Sequence, residues 1–119
     1  MKLQDAVALM HQQGLIDEKE IYGYAQFDSV IGGAVGAAMN LALMTVNGNN
    51  LKIFRANIDN SWSTMVLSAD KSELSDLKLK KIMFGLQKKV TFTCQGKTYS
   101  MLLPAGNAKK IIPWLFPEQ

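Results

Sequence analysis

The chain has 119 residues, of which 48% are hydrophobic and 19% are charged, and its formal net charge is +3. This length fits a single domain with its own hydrophobic core, and the composition excludes an intrinsically disordered chain. One cysteine, Cys94, excludes an internal disulfide framework and is compatible with the reducing cytoplasm, where we expect the protein to act. The first residues, MKLQDAVALMHQQ, lack the apolar segment of a secretory signal.

The positive charge is concentrated in the C-terminal part of the chain. Residues 1–76 contain five basic and nine acidic residues, whereas residues 77–119 contain eight lysines and one acidic residue. Such a basic region can attract nucleic acid or anionic lipid. The alternative is an ordinary solvated face, because arginine dominates specific phosphate recognition and is nearly absent here.

The first predicted elements are a short helix and a strand. Apolar residues recur at helical spacing over about residues 3–13, and Gly14 follows as a stop signal. The run IYGYAQF at 21–27 is rich in residues that suit a pleated sheet.

The middle of the chain predicts a hairpin and a further strand. The apolar runs at 41–46 and 51–56 flank an Asn47-Gly48 pair, and asparagine and glycine both accept the positive φ of a tight turn. WSTMVL at 62–67 predicts the next strand, and the polar stretch DKSELSD at 70–76 is compatible with one turn of helix.

The C-terminal third alternates between apolar and polar residues, which is typical of a half-buried antiparallel sheet. The alternation runs through 77–79, 89–94 and 98–103. A last helix is predicted from a cap at Asn107 to about residue 112, because Pro113 would kink its continuation.

Seven strands in hairpin order followed by a helix predict a mainly β protein. We expect the antiparallel sheet to curl into a small barrel, with the C-terminal helix capping one open end, because closure protects the edge strands. The absence of long helices between the strands excludes a parallel α/β sheet.

The same order of elements resembles the small bacterial pleckstrin-homology-like domains. The resemblance lies in LIDEKEIYGYAQF, in LALMTVNGNNLKIF and in the run LSDLKLKKIMFGLQKKVTFTCQGKTYSMLLP before a short helix. It implies a pleckstrin-homology-like domain over residues 21–119, with residues 1–20 forming an accessory helix and a linker.

What the resemblance implies about function is a non-catalytic interaction or assembly module, since similar proteins are mostly of unassigned function. Lipid-binding eukaryotic members carry basic residues between their first two strands. The corresponding SVIGGAVGAAMN contains none, so specific inositol phosphate binding does not carry over.

No residue pattern indicates catalysis, a metal site or a cofactor. His11 and Cys94 are the single histidine and cysteine, so a structural zinc site is excluded. Gly32, Gly33 and Gly36 match neither phosphate-binding glycine motif. We therefore predict that the protein is not an enzyme and has no small-molecule substrate.

Two surfaces are candidates for partner binding. The uncharged run from Val30 to Val46 is too short for a membrane-spanning helix, and the segment Ser29–Asn40 forms either core or a subunit contact of a homo-oligomer. The predicted contact residues are Ile31, Ala34, Val35, Gly36 and Met39. The alternative function is peripheral binding to an anionic membrane surface or nucleic acid, and its predicted anion-facing residues are Lys78, Lys80 and Lys89.

Replacing Ala34 with lysine separates contact from core. At a subunit contact the new charge should lower the solution mass, measured by light scattering, and leave the β-type far-ultraviolet spectrum unchanged. A variant that keeps its mass or unfolds would identify the segment as ordinary core.

Overall fold

The computed structural model describes residues 2–27, 41–57, 59–104, 106 and 110–117, except the side chain of Met83. Seven strands lie between two helices, and this confirms the prediction of a mainly β, antiparallel protein. In chain order the helices and strands are α1 (Leu3–Gln12), β1 (Glu18–Phe27), β2 (Leu41–Asn47), β3 (Asn50–Ala56), β4 (Trp62–Asp70), β5 (Ser75–Ile82), β6 (Gln87–Cys94), β7 (Lys97–Pro104) and α2 (Ile111–Leu115).

The seven strands form one sheet in the order β4-β3-β2-β1-β7-β6-β5. Its two halves are joined where β1 pairs with β7 through Gln26 opposite Leu102 and Phe27 opposite Met101. Within the described residues no hydrogen-bonded ladder joins β4 to β5, so both remain edge strands. The predicted closure into a barrel is therefore wrong.

The reason is the connection between the two edge strands. Asp70 ends β4 and Ser75 begins β5, and between them Lys71–Glu73 form a single 3₁₀ turn in place of a tight hairpin. Asp70 caps this turn by accepting a hydrogen bond from the backbone N–H of Ser72 (2.9 Å), and Glu73 accepts one from the N–H of Asp70 (3.0 Å). The chain thus passes from one outer strand of the sheet to the other without a hairpin ladder between them.

This short connection forces the sheet to curl. Five residue steps reach at most about 17 Å. A flat sheet of seven strands is about 29 Å wide between its outer strands. The two edges must therefore approach each other, in agreement with the nearly equal molecular dimensions of 32 × 31 × 29 Å.

The concave face of the curled sheet holds the larger apolar core. Every strand except β5 contributes buried inward residues to this core, among them Phe27, Ile53, Phe92 and Met101. The helix α2 closes over it with Ile111, Ile112 and Leu115, all buried.

The C-terminal helix differs from its prediction in range. It begins at Ile111 and continues past Pro113 to Leu115, whereas Asn107, the predicted cap, lies outside the described residues. Pro113 is tolerated because it is the third helical residue, where the backbone N–H has no partner within the helix. The ammonium of Lys71, in the β4–β5 connection, lies 4.9 Å from the ring centroid of Trp114, so α2 lies against that connection.

The convex face carries a second apolar cluster beneath α1. Val7 and Met10 of α1 are fully buried against Leu43 and Phe54 of the sheet. Strand β2 is therefore buried on both faces, which explains why its sequence is almost continuously apolar and does not alternate. Its one polar buried side chain, Thr45, donates a hydrogen bond to the carbonyl oxygen of Lys52 (2.9 Å).

Two hydrogen bonds anchor the segment between α1 and β1 to the β2–β3 hairpin. The Asp17 carboxylate accepts a bond from the N–H of Gly48 (2.7 Å), and the Lys52 ammonium donates one to the carbonyl oxygen of Leu15 (2.9 Å). Gly48 takes the positive φ of this turn, +63°. The position of α1 is thus set by polar contacts as well as by apolar packing.

Replacing Met10 with alanine should lower the free energy of unfolding by about 3 kcal/mol, because a fully buried side chain is lost from the convex cluster. His11 is exposed on the same helix, so His11→Ala should change it by less than about 0.5 kcal/mol. Urea unfolding measures both. A Met10→Ala effect as small as that of the control would show that α1 is a detachable accessory.

Candidate anion-binding face

The convex face of β5, β6 and β7 is not covered by α1 and carries polar side chains. Successive residues of a strand point to opposite faces, so Val90, Phe92 and Cys94 enter the core while Lys89 and Thr91 point outward. The ring of Phe92 stacks on that of Tyr99 on the core side, with centroids 5.2 Å apart.

The predicted anion-facing lysines meet on this face. The strand register sets Lys80 of β5 opposite Lys89 of β6, and Lys78 opposite Thr91. Together these four residues line one open depression of about 220 Å³. Three lysines and one threonine, whose polar groups can all donate hydrogen bonds, thus border a space large enough for a phosphate or carboxylate group.

The electrostatics of this hairpin are unusual because like charges lie directly opposite each other. Besides Lys80 and Lys89, the register sets Lys81 opposite Lys88, so two successive cross-strand pairs are lysine with lysine. Residues 87–104, which contain β6 and β7, include no aspartate or glutamate. Like charges directly opposite each other on neighbouring strands destabilise a sheet.

The remaining outward side chains on this face decide which anions it suits. Apart from the lysines and Gln87, the outward side chains of β6 and β7 are small or aliphatic, and they include Thr91, Thr93, Thr98, Ser100 and Leu102. The described part of β5–β7 presents no aromatic ring outward. Proteins that bind nucleic acid on a sheet normally stack bases on outward aromatic rings. The face is thus suited to recognise charge and unsuited to read bases.

The hairpin end beyond the lysines is apolar, and the sequence analysis did not identify it. Ile82 pairs with Gln87, and the chain between them exposes Phe84 (107% of its reference area) and Leu86 (68%). Both Phe84 and Gly85 have positive φ, +58° and +87°. The sequence signal for this turn is a glycine between two alternating runs. Phenylalanine rarely adopts a positive φ, so residue preferences do not predict a turn at Phe84.

The single cysteine and the single histidine lie in different surroundings. Cys94 is buried in the core, and burial, followed by the nearby carboxylate of Glu73, raises the pKa of its thiol. A thiol with a raised pKa is a poor nucleophile. His11 is exposed on α1. No group of three potential metal ligands is found among the described residues.

The predicted subunit-contact residues cannot be placed on this framework. Ile31, Ala34, Val35, Gly36 and Met39 all lie outside the described residues. Neither helix in the described part of the chain has the length and apolar composition needed to cross a membrane.

Comparisons with models of protein families, with curated proteins and with solved structures found no match. Inferences about function therefore rest on the geometry of this chain.

Replacing Lys80 with glutamate should raise the free energy of unfolding by roughly 0.5 kcal/mol at low salt, because a repulsive cross-strand pair becomes attractive. The gain should shrink as salt is added. Lys97→Glu is the matched control, because it changes the net charge equally while Lys97 lies opposite Cys94. Equal gains for both variants would mean that net charge, and not the Lys80–Lys89 pair, is responsible.

Proposed function

We propose that this chain is a non-catalytic interaction module with a pleckstrin-homology-like fold, and that it binds an anionic partner through the convex face of β5 and β6. The observation that carries this proposal is the convergence of Lys78, Lys80 and Lys89, with Thr91, around one open depression. Seven antiparallel strands followed by a C-terminal helix support the fold assignment, since they follow the order of elements in that family.

The chemistry of the face favours charge-based binding of modest specificity. Lysine is a flexible point charge, whereas arginine forms the two-pronged contacts of specific phosphate recognition, and the face carries lysine alone. Such binding depends on several weak contacts to a surface with many negative groups. We therefore expect a polyanionic surface to bind more tightly than a single small anion.

Self-association is a second proposal, and it concerns other parts of the molecule. The run Ser29–Asn40 remains a predicted contact. In addition, the edge strand β4 has no charged residue from Trp62 to Ala69, and its residues Ser63–Met65 are exposed. An uncharged, exposed edge is the kind that pairs with a strand of another chain. This contact would leave the convex face of β5 and β6 free.

The double substitution Lys78→Gln, Lys80→Gln should weaken binding to anionic vesicles about 25-fold, because each lysine near such a surface contributes about 1 kcal/mol. Sedimentation with vesicles of phosphatidylcholine and phosphatidylglycerol measures this, and the binding should fall as salt is raised. Lys97→Gln, which removes a charge elsewhere, should have a smaller effect. If all three substitutions weaken binding equally per charge removed, the lysine face is not a site.

A further inference from the structure

The apolar end of the β5–β6 hairpin is the most exposed hydrophobic feature of the described chain. Three large hydrophobic residues are exposed in the described chain: Phe84 and Leu86 at the hairpin end, and Met65 on β4, whose side chain is 48% exposed. Two of these three lie within three residues of each other at the end of one hairpin. Clustered exposure of this kind marks an interaction site more often than scattered single residues do.

The conformation of Phe84 makes its presence there unfavourable for the free protein. A bulky residue at φ +58° lies in the left-handed region, which asparagine and glycine occupy more easily. The same sheet provides an internal comparison in the turn between β6 and β7. There Gln95 (φ +53°) and Gly96 (φ +79°) have nearly the same pair of φ angles, but the first residue is polar. Neither burial nor the backbone conformation of the turn therefore explains why residue 84 is a phenylalanine.

Lysines surround the base of this apolar end. Lys81 and Lys88 form the cross-strand pair next to the last pair of the hairpin, and Lys80 and Lys89 form the pair behind it. Because neighbouring residues of a strand point to opposite faces, the two pairs lie on opposite faces of the hairpin. Lys81 precedes Phe84 by three residues, and because the 3₁₀ turn Met83–Gly85 rises less per residue than a strand, the ammonium-bearing positions begin less than about 10 Å behind Phe84.

We propose that the β5–β6 hairpin inserts its end into the interfacial region of an anionic lipid bilayer, with Phe84 and Leu86 entering the boundary of the acyl chains and the four lysines contacting the head groups. This inference rests on the proposed function and names its partner. The spacing fits, because interfacial segments bury their apolar side by about 5–10 Å, which leaves the lysines at the level of the lipid phosphates.

A bilayer accounts for the features of the hairpin better than nucleic acid does. Phe84 offers one ring that can stack on a base, but Leu86 has none, and the described convex face of β5–β7 has no outward aromatic residue to continue a stacking platform. A bilayer requires both an apolar anchor and positive charge for stable attachment, since either signal alone is marginal. The hairpin supplies both within nine residues, from Lys80 to Lys88.

The first test replaces Phe84 with asparagine, which removes the ring and accepts the left-handed conformation. Binding to phosphatidylcholine–phosphatidylglycerol vesicles should weaken about tenfold, equivalent to about 1.4 kcal/mol. Thermal stability should stay the same or rise, because the strain at this position is relieved. Met65→Asn is the matched control, since Met65 is an exposed apolar residue on β4, outside the β5–β6 hairpin. It should leave vesicle binding unchanged.

The second test places a probe at the hairpin end. In Phe84→Trp, the emission of the new tryptophan is obtained by subtracting the wild-type spectrum from that of the variant. This emission should shift to the blue when the mixed vesicles are added, and brominated lipids should quench it. Pure phosphatidylcholine vesicles should produce little of either effect, because the lysines then have no anionic surface.

The outcomes separate this inference from the proposed function. If Phe84→Asn binds the vesicles like the wild type and the tryptophan shows no shift, while Lys78→Gln, Lys80→Gln still weakens binding, insertion is overturned and the lysine face stands. Binding to nucleic acid but not to the vesicles would likewise overturn insertion alone. If the protein binds neither surface, both proposals fail.

Discussion

The short connection between β4 and β5 is the constraint on which the arrangement of this molecule depends. It joins the two outer strands of a seven-stranded sheet with only residues 71–74, so the sheet must curl until its edges approach each other. Curling creates a concave face that encloses the larger core and a convex face that α1 cannot cover completely. The Lys71–Trp114 contact then brings α2 against the same connection, where the two sheet edges come together.

The division of the convex face follows from the size of α1. Ten helical residues are about 15 Å long, which is enough to cover only part of the face. The part that α1 covers includes β2, which is buried on both faces, whereas in β6 and β7 the buried residues alternate with partly exposed ones. The lysine face is therefore the uncovered remainder of a surface whose other part is core. Its position depends on where α1 is anchored, through Asp17 and Lys52.

The sequence predicted those features that depend on local periodicity. Alternation identified the outward direction of Lys78, Lys80 and Lys89, and the Asn-Gly pair located the β2–β3 hairpin. Barrel closure failed as a prediction because edge pairing depends on the local conformation after β4, where Asp70 caps a 3₁₀ turn that the period-two pattern does not show. Phe84 was missed for a related reason. Its turn requires positive φ, which residue preferences assign to asparagine or glycine, so an apolar run through this position conceals the end of β5.

Two unfavourable local features coincide in the β5–β6 hairpin, and only one of them has an explanation within the free protein. Lysines on an exposed edge strand such as β5 prevent it from pairing with other chains, so the opposed lysine pairs have a use without any partner. That explanation does not extend to Phe84, because an edge protected against association would end in a polar turn like that of Gln95 and Gly96. Consistency between local preference and structure is the rule in folded proteins, and departures from it concentrate at functional sites. The exposed, left-handed Phe84, more than the lysines beside it, is therefore the residue on which the proposed bilayer contact depends.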